Sequence, residues 1–144
     1  MILHFEGVSY RYPGAESWAL NGLDLIIHPG ETVLIAGASG SGKSTLCRAC
    51  IGLVPHLHHG EWIGKVFVDG LDTSQHPVYE LFRHAGLVFQ NADAQLFNQT
   101  VESELTYGLE SLGLVHGEIE RRLAWAKKLA ELDDLMDRPP HSLS

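Results

Sequence analysis

Residues 37–45 of this 144-residue chain read Gly37-Ala38-Ser39-Gly40-Ser41-Gly42-Lys43-Ser44-Thr45. That spacing suits the capture of a polyanion. Glycines at 37, 40 and 42 carry no Cβ, so successive backbone N–H groups can turn inward around a phosphate. A helix opening near Lys43 adds its unpaired N–H groups and about half a positive charge at its N-terminus. Lys43 can then reach the β- and γ-phosphates of a nucleoside triphosphate, and the Ser44 hydroxyl can ligate Mg²⁺.

Such a loop needs a strand before it and a helix after it. The apolar, β-branched run Thr32–Ala36 predicts a buried strand, and Leu46–Ile51 predicts a helix that ends at Gly52. Upstream, Leu3 and Phe5, then Val8, Tyr10 and Tyr12, then Leu23, Leu25 and Ile27 form short β-like runs, separated by Pro13-Gly14 and closed by His28-Pro29-Gly30. Two more strands are expected at about Lys65–Val68 and Gly86–Phe89. From Val101 onward the pattern is helical. Val101–Leu112 stops at Gly113, and Glu118–Leu132 puts Ile119, Leu123, Ala126 and Ala130 on one face. Glu118 and Arg122 form an i,i+4 pair on that second helix.

Composition narrows the function classes. Hydrophobic residues make up 44% and charged residues 19%, enough for a core. The net charge of −8 argues against nucleic-acid partners. It does not argue against ATP, because salt screens long-range fields within about 8 Å while the loop's donors act at contact distance. No apolar run of about 18 residues and no signal peptide is visible, so the expected chain neither spans a membrane nor is secreted. Cys47 and Cys50 suit a reducing compartment. With His56, His58 and His59 they imitate a zinc site, but the second ligand pair lacks the usual spacing. Packing of two small thiols on the loop's helix is the plainer reading.

Across the whole chain these residues resemble the N-terminal part of an ABC-transporter ATPase of the energy-coupling-factor (ECF) type, which drives vitamin or metal-ion uptake. The resemblance is carried by Val8-Ser9-Tyr10-Arg11-Tyr12-Pro13-Gly14, by Leu20-Asn21-Gly22-Leu23 and by the phosphate loop, the family's Walker A. Most specific is Gly86-Leu87-Val88-Phe89-Gln90-Asn91-Ala92-Asp93-Ala94-Gln95-Leu96-Phe97, running on to Thr100-Val101-Glu102. Ala92 departs from the family's usual proline. The implied fold is α/β: a P-loop NTPase core with an N-terminal antiparallel β subdomain and the start of a helical subdomain. The implied division is about 1–95 and 96–144. The implied ligands are ATP and Mg²⁺. Tyr12 matches the aromatic that stacks on adenine, and Gln90 matches the glutamine that touches Mg²⁺ and the attacking water. By the same resemblance, residues from Ala92 to about Thr100 would lie beside the groove that receives a coupling helix of the transmembrane ECF subunit. A second ATPase subunit or domain is the other implied partner, with no direct contact to the transported substrate. The implied location is the cytoplasmic face of the plasma membrane, held peripherally.

His141-Ser142-Leu143-Ser144 resembles the approach to the family's Leu-Ser-Gly-Gly-Gln signature, of which Leu143 and Ser144 are the first two residues. The family places its Walker B aspartate and catalytic glutamate after that signature. Val66-Phe67-Val68-Asp69 is apolar and ends in a carboxylate, but Gly70 follows, so Asp69 reads as a turn residue. The expectation is therefore that residues 1–144 alone bind nucleotide without turning it over. In the family, strands from later in sequence separate the Thr32–Ala36 and Gly86–Phe89 strands, so the isolated chain is expected to be partly molten or aggregation-prone. Two other readings compete. One is a P-loop kinase or GTPase, although no Asn-Lys-x-Asp guanine-recognition motif is present. The other is a non-catalytic nucleotide-binding module.

Overall fold

Strand β1 (Leu3–Arg11) carries a break in its own pattern. Its apolar residues switch parity, from Leu3 and Phe5 to Val8 and Tyr10, so strict alternation would turn half of them to solvent. Gly7 resolves the conflict. At φ +55° it sits in a bulge, and the register with both neighbouring strands shifts there. Phe5, Val8 and Tyr10 are consequently all buried. The freed N–H of Gly7 donates to Asp24 Oδ1 at 2.7 Å.

The computed structural model describes residues 2–143. Compactness divides them into one unit up to Leu87 and another from Val88, upstream of the expected subdomain boundary near residue 95. In the first unit, β1 lies between β2 (Leu20–Ile27) and β3 (Glu61–Val68), and β3 pairs with the short β4 (Leu71–Asp72). All pairings are antiparallel. Asp69 and Gly70 join β3 to β4 with φ of 50° and 84°, the positive angles of a two-residue hairpin turn. Asp69 is thus a turn residue, and its carboxylate sits 2.9 Å from His84 Nδ1. Helices α1 (Lys43–Cys50) and α2 (Leu53–His56) contribute Leu46, Ala49 and Val54 to a core with Phe5, Val8, Tyr10, Leu20 and Val66. A further short helix, α3, spans Val78–Leu81.

The second unit opens with a 3₁₀ turn (Ala92–Gln95) and contains α4 (Val101–Ser111) and α5 (His116–Leu129). Thr100 caps α4: its hydroxyl accepts the Ser103 N–H, and the Ser103 hydroxyl accepts the Thr100 N–H, both at 3.1 Å. The next two N–H groups, of Val101 and Glu102, are satisfied by the carbonyls of Arg138 and Met136 at 2.9 and 3.0 Å. The helix start therefore leaves no early donor to chance. Replacing Thr100 by alanine is expected to cost about 1 kcal/mol. Urea unfolding of the full-length protein checks this, and an unchanged midpoint would count against the cap. In α5, Glu118 pairs with Arg122 at 2.6 Å, as the spacing suggests, and also with Arg121 at 2.7 Å. Hydrogen bonds from Arg121 and Arg122 hold its carboxyl down to about 2. The helix ends short of Leu132 because Glu131 takes φ 53°. Among the expected face residues, Ile119 is buried, Leu123 and Ala126 are half-buried and Ala130 is exposed.

Two expected strands are not formed. Thr32–Ala36 and Gly86–Phe89 are not paired into any sheet. Leu34 is 89% exposed and Val88 79%. An apolar run becomes a buried strand only where neighbours bond its edges and cover its faces. The described residues supply no such neighbours. Among them, no helix is long and apolar enough to cross a membrane.

Candidate functional site

The phosphate loop lies in the first unit, between the unpaired run Thr32–Ala36 and α1. Two of its glycines are demanded by geometry. Gly42, the N-cap of α1, has φ +89°, and a Cβ there would run into the Ala19 carbonyl. Gly40 has φ +80°, a conformation that L side chains rarely adopt. A Cβ on Gly37 would meet only the movable Ser41 hydroxyl, at 2.8 Å. Ser41 N–H bonds the Ala38 carbonyl at 3.2 Å, closing the turn, and Leu46 N–H bonds Gly42 at 2.9 Å, starting the helix.

Lys43 spans this loop. Its ammonium donates to the carbonyls of Gly37 at 2.8 Å and Ala38 at 2.7 Å, with Ser41 Oγ at 3.4 Å. The loop's only cation is therefore held against the loop backbone, within reach of whatever anion the neighbouring N–H groups attract. Ala38, Ser39, Gly40 and Ser41 are exposed, as is Ser44 on the first turn of α1. The Ser44 hydroxyl is a hard oxygen donor, of the kind Mg²⁺ takes alongside water and substrate phosphates.

Tyr12 is joined to the same unit's loop. It lies just past β1, and its hydroxyl is 3.1 Å from Thr45 Oγ1. Its half-buried ring meets the edge of Tyr10 at 4.8 Å and His58 at 6.3 Å. Tyr10 is fully buried, and its hydroxyl donates to the carbonyls of His58 and His59. Burial, then the neighbouring Tyr12, push its phenol up, with Arg48 opposing. The structure thus brings Tyr12 to Gly37–Thr45, the two expected pieces of one binding surface. It also adds Arg48, which the sequence reading missed. Arg48 lies three residues after Thr45, a helical spacing that shares a face, and that spacing was the available signal.

The remaining expected residues lie in the second unit or outside the description. Gln90 is exposed, just before the 3₁₀ turn. There Gln95 Oε1 accepts the Phe89 N–H at 2.9 Å and closes the intervening loop. Glu104 gathers the N–H groups of Phe97 and Asn98 and the Asn98 amide. Desolvation works to raise its carboxyl, and these hydrogen bonds outweigh it, leaving it below the usual range. Leu143 is half-buried, its N–H on the Pro140 carbonyl at 3.1 Å. Ser144 lies outside the described residues.

The thiols behave as packing groups. Cys50 donates to the Leu46 carbonyl at 3.3 Å and packs against the core. Burial, then the neighbouring Cys47, push its thiol up to about 12. A zinc ligand must be a thiolate, which this environment opposes. Among the described residues, no group of three or more His, Cys, Asp or Glu is placed to hold a metal ion. Iodoacetamide is accordingly expected to label Cys47 well before Cys50 in the folded protein. Equal labelling, read by mass spectrometry, would contradict the burial argument.

With the geometry in place, comparison with known proteins gives a consistent result. Residues 20–144 match the family described as ABC transporter. A provisionally named ABC transporter ATP-binding protein of Pyrococcus abyssi is 47% identical over 143 residues, covering 99% of this chain and 51% of the relative. One from Pyrococcus horikoshii, likewise provisionally named, is also 47% identical, with 99% and 50% covered. The chain thus spans about half the length of these curated relatives. Among solved structures, a dimeric post-hydrolysis ATP-binding cassette bound to ADP and Pi is similar at a TM-score of 0.73 and 29% identity, covering 99% of this chain and 63% of that one. An ATP-binding subunit of an ABC transporter, at 22% identity and a TM-score of 0.76, supports the fold alone, with 100% and 56% covered.

Proposed function

The chain belongs to the ABC transporter family, and from that premise we propose that it is the nucleotide-gripping part of an ATPase subunit that powers transport, of the energy-coupling-factor type. One observation carries the reading: within one unit, Lys43 spans the loop carbonyls of Gly37 and Ala38 while the Tyr12 hydroxyl bonds Thr45 at the loop's far end. A phosphate site and an aromatic platform thus share one helix start, as ATP requires. The backbone of Gly37–Thr45 surrounds the phosphates, Lys43 exchanges its carbonyl partners for phosphate oxygens, and Ser44 holds Mg²⁺. The metal ion, when bound, neutralises phosphate charge. The ECF assignment rests on the wording from Gln90 to Phe97.

Gln90 keeps the role given by the resemblance, contact with Mg²⁺ and the attacking water. The segment from Ala92 to Thr100 is proposed to face a transmembrane partner. The other partner is a second ATPase subunit or domain, and the location is the cytoplasmic membrane face. Turnover is proposed to need residues beyond 1–144. The Walker B look-alike in this unit ends at Asp69, which is committed to a hairpin turn and to His84, and Gly70 follows it where a catalytic glutamate would stand.

The test is base dependence in the full-length protein. Tyr12→Ala is expected to weaken ATP binding about tenfold, within the lower half of the range for loss of one base stack, while tripolyphosphate binding stays unchanged. Calorimetric titration of both ligands reads this out. Equal losses for ATP and tripolyphosphate would remove Tyr12 from the base site.

A further inference from the structure

Arg48, in the last turn of α1, forms no ion pair among the described residues. Its Nη1 donates to the Tyr12 hydroxyl at 3.1 Å, and that hydroxyl is 3.1 Å from Thr45 Oγ1. A guanidinium can only donate, so the Tyr12 oxygen accepts from Arg48, while either hydroxyl can donate in the Tyr12–Thr45 bond.

Tyr12 has reason to need such a tether. It stands beyond the last residue of β1, where its carbonyl accepts the Ala15 N–H at 3.1 Å in a turn rather than a ladder. Its ring is only half-buried. A platform left to rotate must be ordered by each incoming base, and that ordering subtracts from affinity. Two hydrogen bonds from one face of α1 fix the ring before the base arrives.

We propose that Arg48 is a positioning residue for the base: it locks the Tyr12 ring to the end of the phosphate loop and so sets how much the base adds to binding by the triphosphate. This rests on the reading of Tyr12 as the base platform. The rival role is purely structural, a cation favouring the C-terminal end of α1.

A double-mutant cycle in the full-length protein separates them. ATP and tripolyphosphate dissociation constants are measured for the wild type, Arg48→Met, Tyr12→Phe and the double variant. Arg48→Met removes the bond to Tyr12 and is expected to weaken ATP about fivefold, with tripolyphosphate shifted less than about twofold. Tyr12→Phe removes that bond and the one to Thr45, so it should weaken ATP at least as much. The double variant should then be no weaker than Tyr12→Phe alone, because that change already deletes the Arg48 bond. Losses that multiply across the two changes, or an equal fall for tripolyphosphate in a variant of unchanged melting temperature, overturn the inference. Should Arg48→Met melt early, Arg48→Gln decides instead, since it keeps an N–H donor without the charge. Its ATP-to-tripolyphosphate ratio should then move less than that of Tyr12→Phe, and a larger shift overturns the proposal. Failure of the underlying reading looks different: Tyr12→Ala itself would leave that ratio unchanged.

Discussion

Lys43→Met in the full-length protein is expected to weaken Mg-ATP binding about 100-fold. The ammonium makes two short bonds to the Gly37 and Ala38 carbonyls, and in the proposed complex it exchanges them for phosphate oxygens. Bonds to a charged group are worth about 1.5 kcal/mol each at the low end. Two of them amount to about 3 kcal/mol, and 1.4 kcal/mol is tenfold. Methionine keeps the length and apolar stem of the side chain, so loss of packing does not explain the effect. The chain's net charge of −8 sharpens the point, since no diffuse positive field stands in for the missing ammonium. Calorimetric titration at fixed ionic strength checks the value. A dissociation constant within threefold of the wild type would remove Lys43 from the phosphate site, and with it the reading of the loop.

Much of this site was legible from residue types because its geometry is local. Gly37 through Thr45 are contiguous, and the glycines at 40 and 42 are required by backbone conformation and, at 42, by the Ala19 carbonyl beside the loop. The antiparallel sheet was legible too. The parity switch between Phe5 and Val8 was visible as a pattern, though only the structure shows that a bulge at Gly7 accommodates it. The Asp69-Gly70 turn followed from a dipeptide whose conformational preference is strong. The tether from Arg48 to Tyr12 spans 36 positions, and no local rule connects residues so far apart. The short helices α2 and α3 escaped for a related reason. Four-residue helices carry almost no periodicity, and packing rather than propensity makes them.

The two missing strands show the opposite case, in which local signals are strong and the outcome differs. Thr32–Ala36 is rich in β-branched and aliphatic residues, yet its backbone forms no hydrogen bonds within the described structure. Val33, Leu34 and Ile35 are 43%, 89% and 37% exposed. A hollow of about 220 Å³ lies where Ile35 and Ala36 approach Leu20, Leu23 and Leu46. In the second unit Val88 and Phe89 are 79% and 40% exposed. The unpaired amides of Thr32–Ala36 and the bare aliphatic faces of both runs are costly unless something covers them. Relatives about twice as long as this chain are consistent with cover supplied from elsewhere in the polypeptide. Hydrogen exchange is therefore expected to separate two classes of amide when residues 1–144 are expressed alone. Those of β1 and β3, around Phe5, Tyr10 and Val66, should be slow, because they are laddered and buried. Those of Thr32–Ala36 should exchange within about tenfold of free peptide, and the same chain should bind a hydrophobic dye. In the full-length protein that run should gain at least about 1,000-fold protection, the range that separates open segments from packed strands. Strong protection of Thr32–Ala36 in the isolated chain would show that the run satisfies itself, and the case for missing neighbours would fall with it.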